Sequence, residues 1–232
     1  MNTPGTYLVT QQSLSAGRTT REVVEAAVAG GVDVVQVREK HRSARDQLAV
    51  ARELRPLTAE AGVTLIVNDR VDVALAADAD GVHLGDDDLP VEAAREQLGP
   101  EAVVGRSVSD VPAAREAAAA GADYLGVGAV YATGSKETEP SESEVGLDTV
   151  RGVAEAVDVP FVGIGGVTPE RAADVVAAGA DGVAVISAIA GAEDPEAATR
   201  ALDGAVETGR RRRSDGDGDR PDGEAVADGG QT

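Results

Sequence analysis

Ala29-Gly30-Gly31-Val32-Asp33, Ala77-Asp78-Ala79-Asp80, Ala120-Gly121-Ala122-Asp123 and Ala178-Gly179-Ala180-Asp181 are four versions of one phrase, and each leads into a short apolar run. Those runs are Val34-Val35-Gln36-Val37, Gly81-Val82-His83-Leu84, Tyr124-Leu125-Gly126-Val127 and Gly182-Val183-Ala184-Val185. Each phrase reads as a helix end, often with Gly just past it, then a tight turn and a buried strand. Working outward, Ala-rich amphipathic spacing predicts helices over 21–29, 44–61, 91–98, 111–120 and 169–178. Short, continuously apolar stretches predict strands over 7–10, 34–38, 64–68, 81–84, 103–105, 124–128, 161–165 and 182–186. Eight strands alternating with helices predict an α/β fold of one domain, a closed parallel (β/α)8 TIM barrel. An open doubly wound sheet is the alternative; the count of eight and the repeated turn favour closure.

The composition suits that fold. The chain has 232 residues, 42% of them hydrophobic, so a core is affordable; with 2% aromatics it must come mainly from Ala, Val, Leu and Ile. No Cys is present, which excludes disulfides and thiolate metal sites. No apolar run reaches the roughly 20 residues of a membrane span. No basic or apolar leader opens the chain, and a cytoplasmic location is expected. A net charge of −20 argues against nucleic acid and anionic membranes as partners. It suits a salt-rich cytoplasm, where ions screen self-repulsion. Lys40 and Lys136 are the only lysines, so specific roles are expected of both. After Thr208 the pattern stops: Arg210 to Arg213 is a basic run, followed by Ser, Asp, Gly and Pro. The expected division is a barrel over 1–207 and a disordered, solvated, charged tail over 208–232.

In such barrels chemistry sits at the C-terminal ends of the strands. After the second strand, alternation puts Gln36 and Arg38 on one side, with Lys40 just beyond. Polar groups inside a barrel need partners. An anion such as a diphosphate would serve Arg38 and Lys40; an internal ion pair with a core carboxylate is the alternative. Asp69 after the third strand and Asp88 after the fourth share the rim and could hold Mg²⁺ together with substrate phosphates. Asp88 precedes Leu89-Pro90, so capping of the next helix is an equal reading. His83 reads as a satisfied interior residue. After the sixth strand, Thr133-Gly134-Ser135-Lys136 offers two hydroxyls and a cation to phosphate oxygens, then runs into a polar stretch long enough for a lid. Gly165-Gly166, with Pro169 opening a helix, and Ile186-Ser187 after the eighth strand suit a phosphate bound by backbone amides. The rim thus offers two anion sites, one for a diphosphate and one for a monophosphate.

These segments together resemble the thiamine phosphate synthase family over most of 7–205. The carrying residues are Val35-Gln36-Val37-Arg38-Glu39-Lys40, Val67-Asn68-Asp69, Gly81-Val82-His83-Leu84-Gly85 through Asp88, Thr133-Gly134-Ser135-Lys136, Gly163-Ile164-Gly165-Gly166 and Val185-Ile186-Ser187-Ala188-Ile189. The resemblance implies condensation of 4-amino-5-hydroxymethyl-2-methylpyrimidine diphosphate with 4-methyl-5-(2-phosphoethyl)thiazole, releasing pyrophosphate. It implies that Gln36, Arg38, Lys40 and Asn68 contact the pyrimidine diphosphate, and that Asp69 and Asp88 bind Mg²⁺. Ser107 would lie beside the pyrimidine and Lys136 would hold pyrophosphate. Thr133 and Ser135, with amides at Gly165, Gly166, Ile186 and Ser187, would hold the thiazole phosphate. The catalytic set would be Arg38, Lys40, Lys136 and Ser107. The partners are small molecules; a homo-oligomer is compatible with all of this.

Four positions depart from the family's habit. Arg106 stands where a small apolar residue is common, Ser109 where many members have His, Gln11 where Asp is frequent, and Ser135 where Thr is usual. A thiazole tautomerase would need an acid–base group such as His, and Ser109 argues against it. A thiamine-phosphate-binding regulator would not need the two metal carboxylates. A sugar-phosphate epimerase would need a metal-binding His/Asp set or paired acid–base carboxylates inside the barrel.

Overall fold

The protein is described from a computed structural model, over residues 4–133 and 144–217. Eight strands form one closed ring in chain order. They are β1 (Thr6–Val9), β2 (Val34–Val37), β3 (Thr64–Asn68), β4 (Gly81–Leu84), β5 (Val103–Val108), β6 (Tyr124–Gly128), β7 (Phe161–Ile164) and β8 (Gly182–Val185). All neighbours are parallel, and the ring closes where Leu8 of β1 faces Val185 of β8. The helices are α1 (Thr20–Ala29), α2 (Ala44–Ala61), α3 (Val71–Ala77), α4 (Val91–Leu98), α5 (Val111–Ala119), α6 (Gly146–Ala156), α7 (Pro169–Ala177), α8 (Ser187–Ala190) and α9 (Pro195–Asp217).

Local chemistry starts and stops these helices. Thr19 and Glu22 form a reciprocal capping box on α1, and Ser43 accepts from the Asp46 amide at the start of α2. Gly62 ends α2 at φ 70°, a left-handed turn that costs glycine little.

Two cores result. One lies between strands and helices and is almost wholly aliphatic, as the composition demands. The other fills the ring, where Val9, Val34, Ile66 and Val162 pack with Tyr7 and Tyr124. The interior therefore spends two of the chain's three tyrosines. Small neighbours make room for them. A Cβ on Gly105 would lie 2.2 Å from the Tyr124 ring, and one on Gly126 would lie 3.2 Å from His83.

The recurring Asp has a role that spacing alone did not show. Asp80 gives its amide to the Leu65 carbonyl and takes the Leu65 amide on its carboxylate at 2.7 Å. Asp123 does the same with Val104, Asp181 with Phe161, and Asp33 with Thr6. Each phrase thus ties the start of one strand, β2, β4, β6 or β8, to the first amide region of the strand before it.

The expected end of the folded part at 207 is corrected. Helix α9 runs on through the Arg run to Asp217. Its arginines find partners on the barrel: Arg210 donates to the Asp181 carbonyl at 2.9 Å, Arg213 to those of Gly179 and Ala180, and Arg212 to the Asp174 carboxylate. Cations beside carbonyls at the end of α7 are favourable, so a run that reads as tail is held as helix. The rest of the expected tail, 218–232, lies outside the described residues.

Candidate active site

Two cavities open at the C-terminal rim and meet at Ile164 and Ala184. The first, about 120 Å³, is lined by Gln36, Arg38, Lys40, Asn68, Asp69 and Ser107, with Tyr7 and His83 at its floor. The second, about 360 Å³, is lined by Thr133, Gly165, Gly166, Ile186, Ser187 and Arg171 among others.

Strand β2 builds one wall of the first cavity. Gln36 faces the interior and donates to the Tyr7 hydroxyl at 2.7 Å. Arg38 is buried, and its Nη1 donates to the Gln11 side-chain oxygen at 2.9 Å. A neutral amide orients a guanidinium without cancelling its charge, which bears on the departure at position 11. The buried carboxylate next to it, Glu39, turns the other way. It accepts from Thr10 and Thr20 at 3.2 and 3.0 Å and from the Gln12 amide, tying β2 to α1 and the loop after β1. Lys40 is exposed at the mouth.

Asp69 follows β3 with φ 63°, a left-handed backbone that Asp tolerates better than most residues. Its amide donates to the His83 carbonyl at 2.8 Å, so the turn is pinned to β4. Its carboxyl meets that of Asp88. Burial, then the hydrogen bond and charge of Asp88, push its pKa from 3.8 to about 6, while Lys40 and Arg38 pull the other way. Asp88 itself accepts from the Gly85 amide at 2.6 Å. The capping alternative fails for it: the residue capping α4 is Pro90, with no side-chain bond. Two carboxylates forced together, with cations close by, fit a divalent ion that takes its remaining oxygens from phosphate and water. No group of three or more His, Asp or Glu is placed to hold a metal ion among the described residues.

Two departures turn out to lie off the cavity. Arg106 reaches outward to Asp86 at 2.6 Å and to the Leu84 and Ser107 carbonyls, bracing the loop that carries Asp88. Ser109 is exposed beyond the end of β5, before Asp110, whose side chain caps α5.

In the second cavity the glycines have steric reasons. Gly165 and Gly166 sit at φ 97° and 61°, and a Cβ on either would strike Ala129 or the Ala132 carbonyl. Pro169 opens α7 beside them, and α8 follows Ile186. The structure thus gathers Gln36, Arg38, Lys40, Asn68, Asp69 and Ser107 around one cavity, with Asp88 reaching it through its hydrogen bond to Asp69. It sets Thr133, Gly165, Gly166, Ile186 and Ser187 around the other. Ser135 and Lys136 lie outside the described residues.

Sequence reasoning missed three contributors. Arg171 lines the second cavity, donates to the Gly166 carbonyl at 3.0 Å and stacks on Tyr131 at 4.8 Å. Tyr7 and Tyr124 join His83 inside the ring; their signal was a polar aromatic at an inward strand position, for Tyr124 one facing Gly105.

Comparison with known proteins agrees with this geometry. The family model described as thiamine monophosphate synthase matches residues 6–189. A thiamine-phosphate synthase of Natronomonas pharaonis is 66% identical over 203 residues, covering 88% of this chain and 95% of that protein. One of Haloarcula marismortui is 64% identical, covering 88% and 97%. The solved thiamine phosphate pyrophosphorylase of Pyrococcus furiosus superposes with a TM-score of 0.80 at 41% identity, covering 89% of this chain and 96% of that one. With the family's fold, its rim motifs and its sequence all present, this chain belongs to the thiamine monophosphate synthase family.

Proposed function

We propose that the two cavities divide the two substrates of the thiamine-phosphate synthase reaction, the pyrimidine diphosphate in the first and the thiazole phosphate in the second. The reaction joins them to thiamine phosphate and releases pyrophosphate. The observation that carries the division is the shared wall at Ile164 and Ala184, which puts an anion site rich in cations and carboxylates against one built of glycine backbone.

In this reading pyrophosphate leaves, a pyrimidine-methyl cation forms, and the thiazole nitrogen captures it. That nitrogen has a lone pair and no proton to lose, so no general base is required. Arg38, Lys40 and Lys136 take up the charge of the departing pyrophosphate, and Asn68 and Gln36 orient the pyrimidine diphosphate. Ser107 contacts the ring. Thr133, Ser135 and the amides of Gly165, Gly166, Ile186 and Ser187 hold the second phosphate. Mg²⁺ held by Asp69 and Asp88 would neutralise diphosphate oxygens.

Pyrophosphate release from the two substrates, in high KCl with Mg²⁺, tests the reading. Wild type should form thiamine phosphate and Asp69→Ala should lose it. Thiazole phosphate binding without product would refute the assignment of the first cavity.

A further inference from the structure

A row of polar side chains crosses the barrel interior from β2 to β5. Gln36 Nε2 lies 2.7 Å from the Tyr7 oxygen, and the Tyr7 and Tyr124 oxygens are 2.8 Å apart. The Tyr124 oxygen lies 2.9 Å from His83 Nδ1, and His83 Nε2 lies 2.9 Å from Ser107 Oγ. Gly105 clears the space for the Tyr124 ring and Gly126 that for the His83 ring. Burial raises both phenols above their ordinary range, so they remain protonated and each has one hydrogen to give.

With Gln36 as the first donor, each group in this row can pass one hydrogen to the next. An amide nitrogen can only donate, so Tyr7 accepts from Gln36. The Tyr7 hydrogen then goes to Tyr124, and the Tyr124 hydrogen goes to His83 Nδ1. A neutral imidazole that accepts at Nδ1 carries its hydrogen at Nε2 and gives it to Ser107. Ser107 therefore accepts within the row, and its own hydroxyl hydrogen is directed to the cavity it lines.

We propose that Gln36, Tyr7, Tyr124 and His83 act as positioning residues that fix Ser107 as a hydrogen-bond donor, selecting a pyrimidine ring that presents an acceptor nitrogen. An oxo-pyrimidine in its N–H form presents a donor at that point and is disfavoured. The consequence for substrate rests on the assignment of the first cavity above; the order of the hydrogens does not.

The chain has two histidines, and the other, His41, is exposed, so nitrogen NMR of the ¹⁵N-histidine-labelled full chain in high KCl resolves His83 directly. His41→Gln assigns the signals. The expected result is a neutral His83 ring protonated at Nε2. A ring protonated at Nδ1, or at both nitrogens, overturns the proposal. Gln36→Glu places an acceptor at the head of the row and should reverse it, moving the His83 hydrogen to Nδ1; an unmoved tautomer in a variant that still melts cooperatively also overturns it. Should that variant not fold, Tyr124→Phe serves. It should release the tautomer preference and raise KM for the pyrimidine diphosphate about tenfold, the loss of one hydrogen bond to a substrate. KM for thiazole phosphate should stay unchanged. Equal effects on both KM values overturn the positioning role. If His83 has the expected tautomer but Ser107→Ala leaves the pyrimidine diphosphate KM unchanged, the cavity assignment fails instead.

Discussion

Asp69 combines a left-handed backbone, partial burial and a facing carboxylate, and each is a cost that a bound cation would offset. The sign of its titration follows. Its folded pKa, about 6, lies above the 3.8 of an unperturbed carboxyl, so the folded state keeps a proton that the unfolded state has lost. Metal-free stability should therefore fall as pH rises between those values, and Asp69→Asn should flatten that part of a urea-midpoint profile. Mg²⁺ bound as proposed would displace the same proton, so the Mg²⁺ concentration for half-maximal activity should climb as pH drops below 6. Asp69→Asn should cost about 100-fold or more in kcat, the scale of losing one preorganised electrostatic partner. Asp69 was legible because Asn68-Asp69 ends an apolar strand, where only the rim can follow. Asp88 was not decided by sequence, because an Asp before Leu-Pro serves a cap and a metal equally well. The structure removes the cap, because Pro90 precedes α4 and the Asp88 side chain turns back onto Gly85. Gly105→Ala tests the interior at the same scale. Its methyl would sit 2.2 Å from the Tyr124 ring, and overpacking of that kind should lower stability by about 1–3 kcal/mol in denaturant unfolding.

At the level of elements, strands were far easier to read than helices. A strand covered on both faces is apolar throughout, and every predicted strand is present, with β5 longer than expected because Arg106 to Val108 keep pairing with β6. Helices α3, α6 and α9 escaped prediction for separate reasons. Helix α3 is too short to show a period, and α6 emerges from a long polar stretch. The basic run of α9 looks like tail until its arginines are seen against the end of α7. The Asp that precedes β2, β4, β6 and β8 was quoted for its spacing, while its function lies in a partner strand that spacing cannot identify. Replacing Asp80 by Ala leaves the Leu65 amide without its carboxylate. A loss of about 1–3 kcal/mol is expected from chemical denaturation, with kcat unchanged, because the bond lies at the end of the barrel opposite the rim.

Across the whole molecule the dominant quantity is charge. At −20, self-repulsion works against compactness, and dissolved ions relieve it. The similar enzymes include those of Natronomonas pharaonis, Haloarcula marismortui and Haloquadratum walsbyi, and halophiles are among these relatives. The melting temperature should therefore rise steadily with KCl, well beyond the concentration at which Mg²⁺ binding saturates; a flat response would count against salt adaptation. Helix α9 acts at this scale too. It packs on α7, α1 and α8 and reaches β1, with Leu202 and Val206 fully buried. A chain stopped at 207 would lose Arg210, Arg212 and Arg213 from the barrel's underside and should melt below the full chain in the same buffer.

The placing of α9 also sets an order on synthesis. By the time β8 has been made, all eight strands exist, yet the apolar flanks of α1 and α7 still await α9. A chain ending after α8 would thus carry all eight strands and stay sticky along one side, a species for chaperones to hold or proteases to remove.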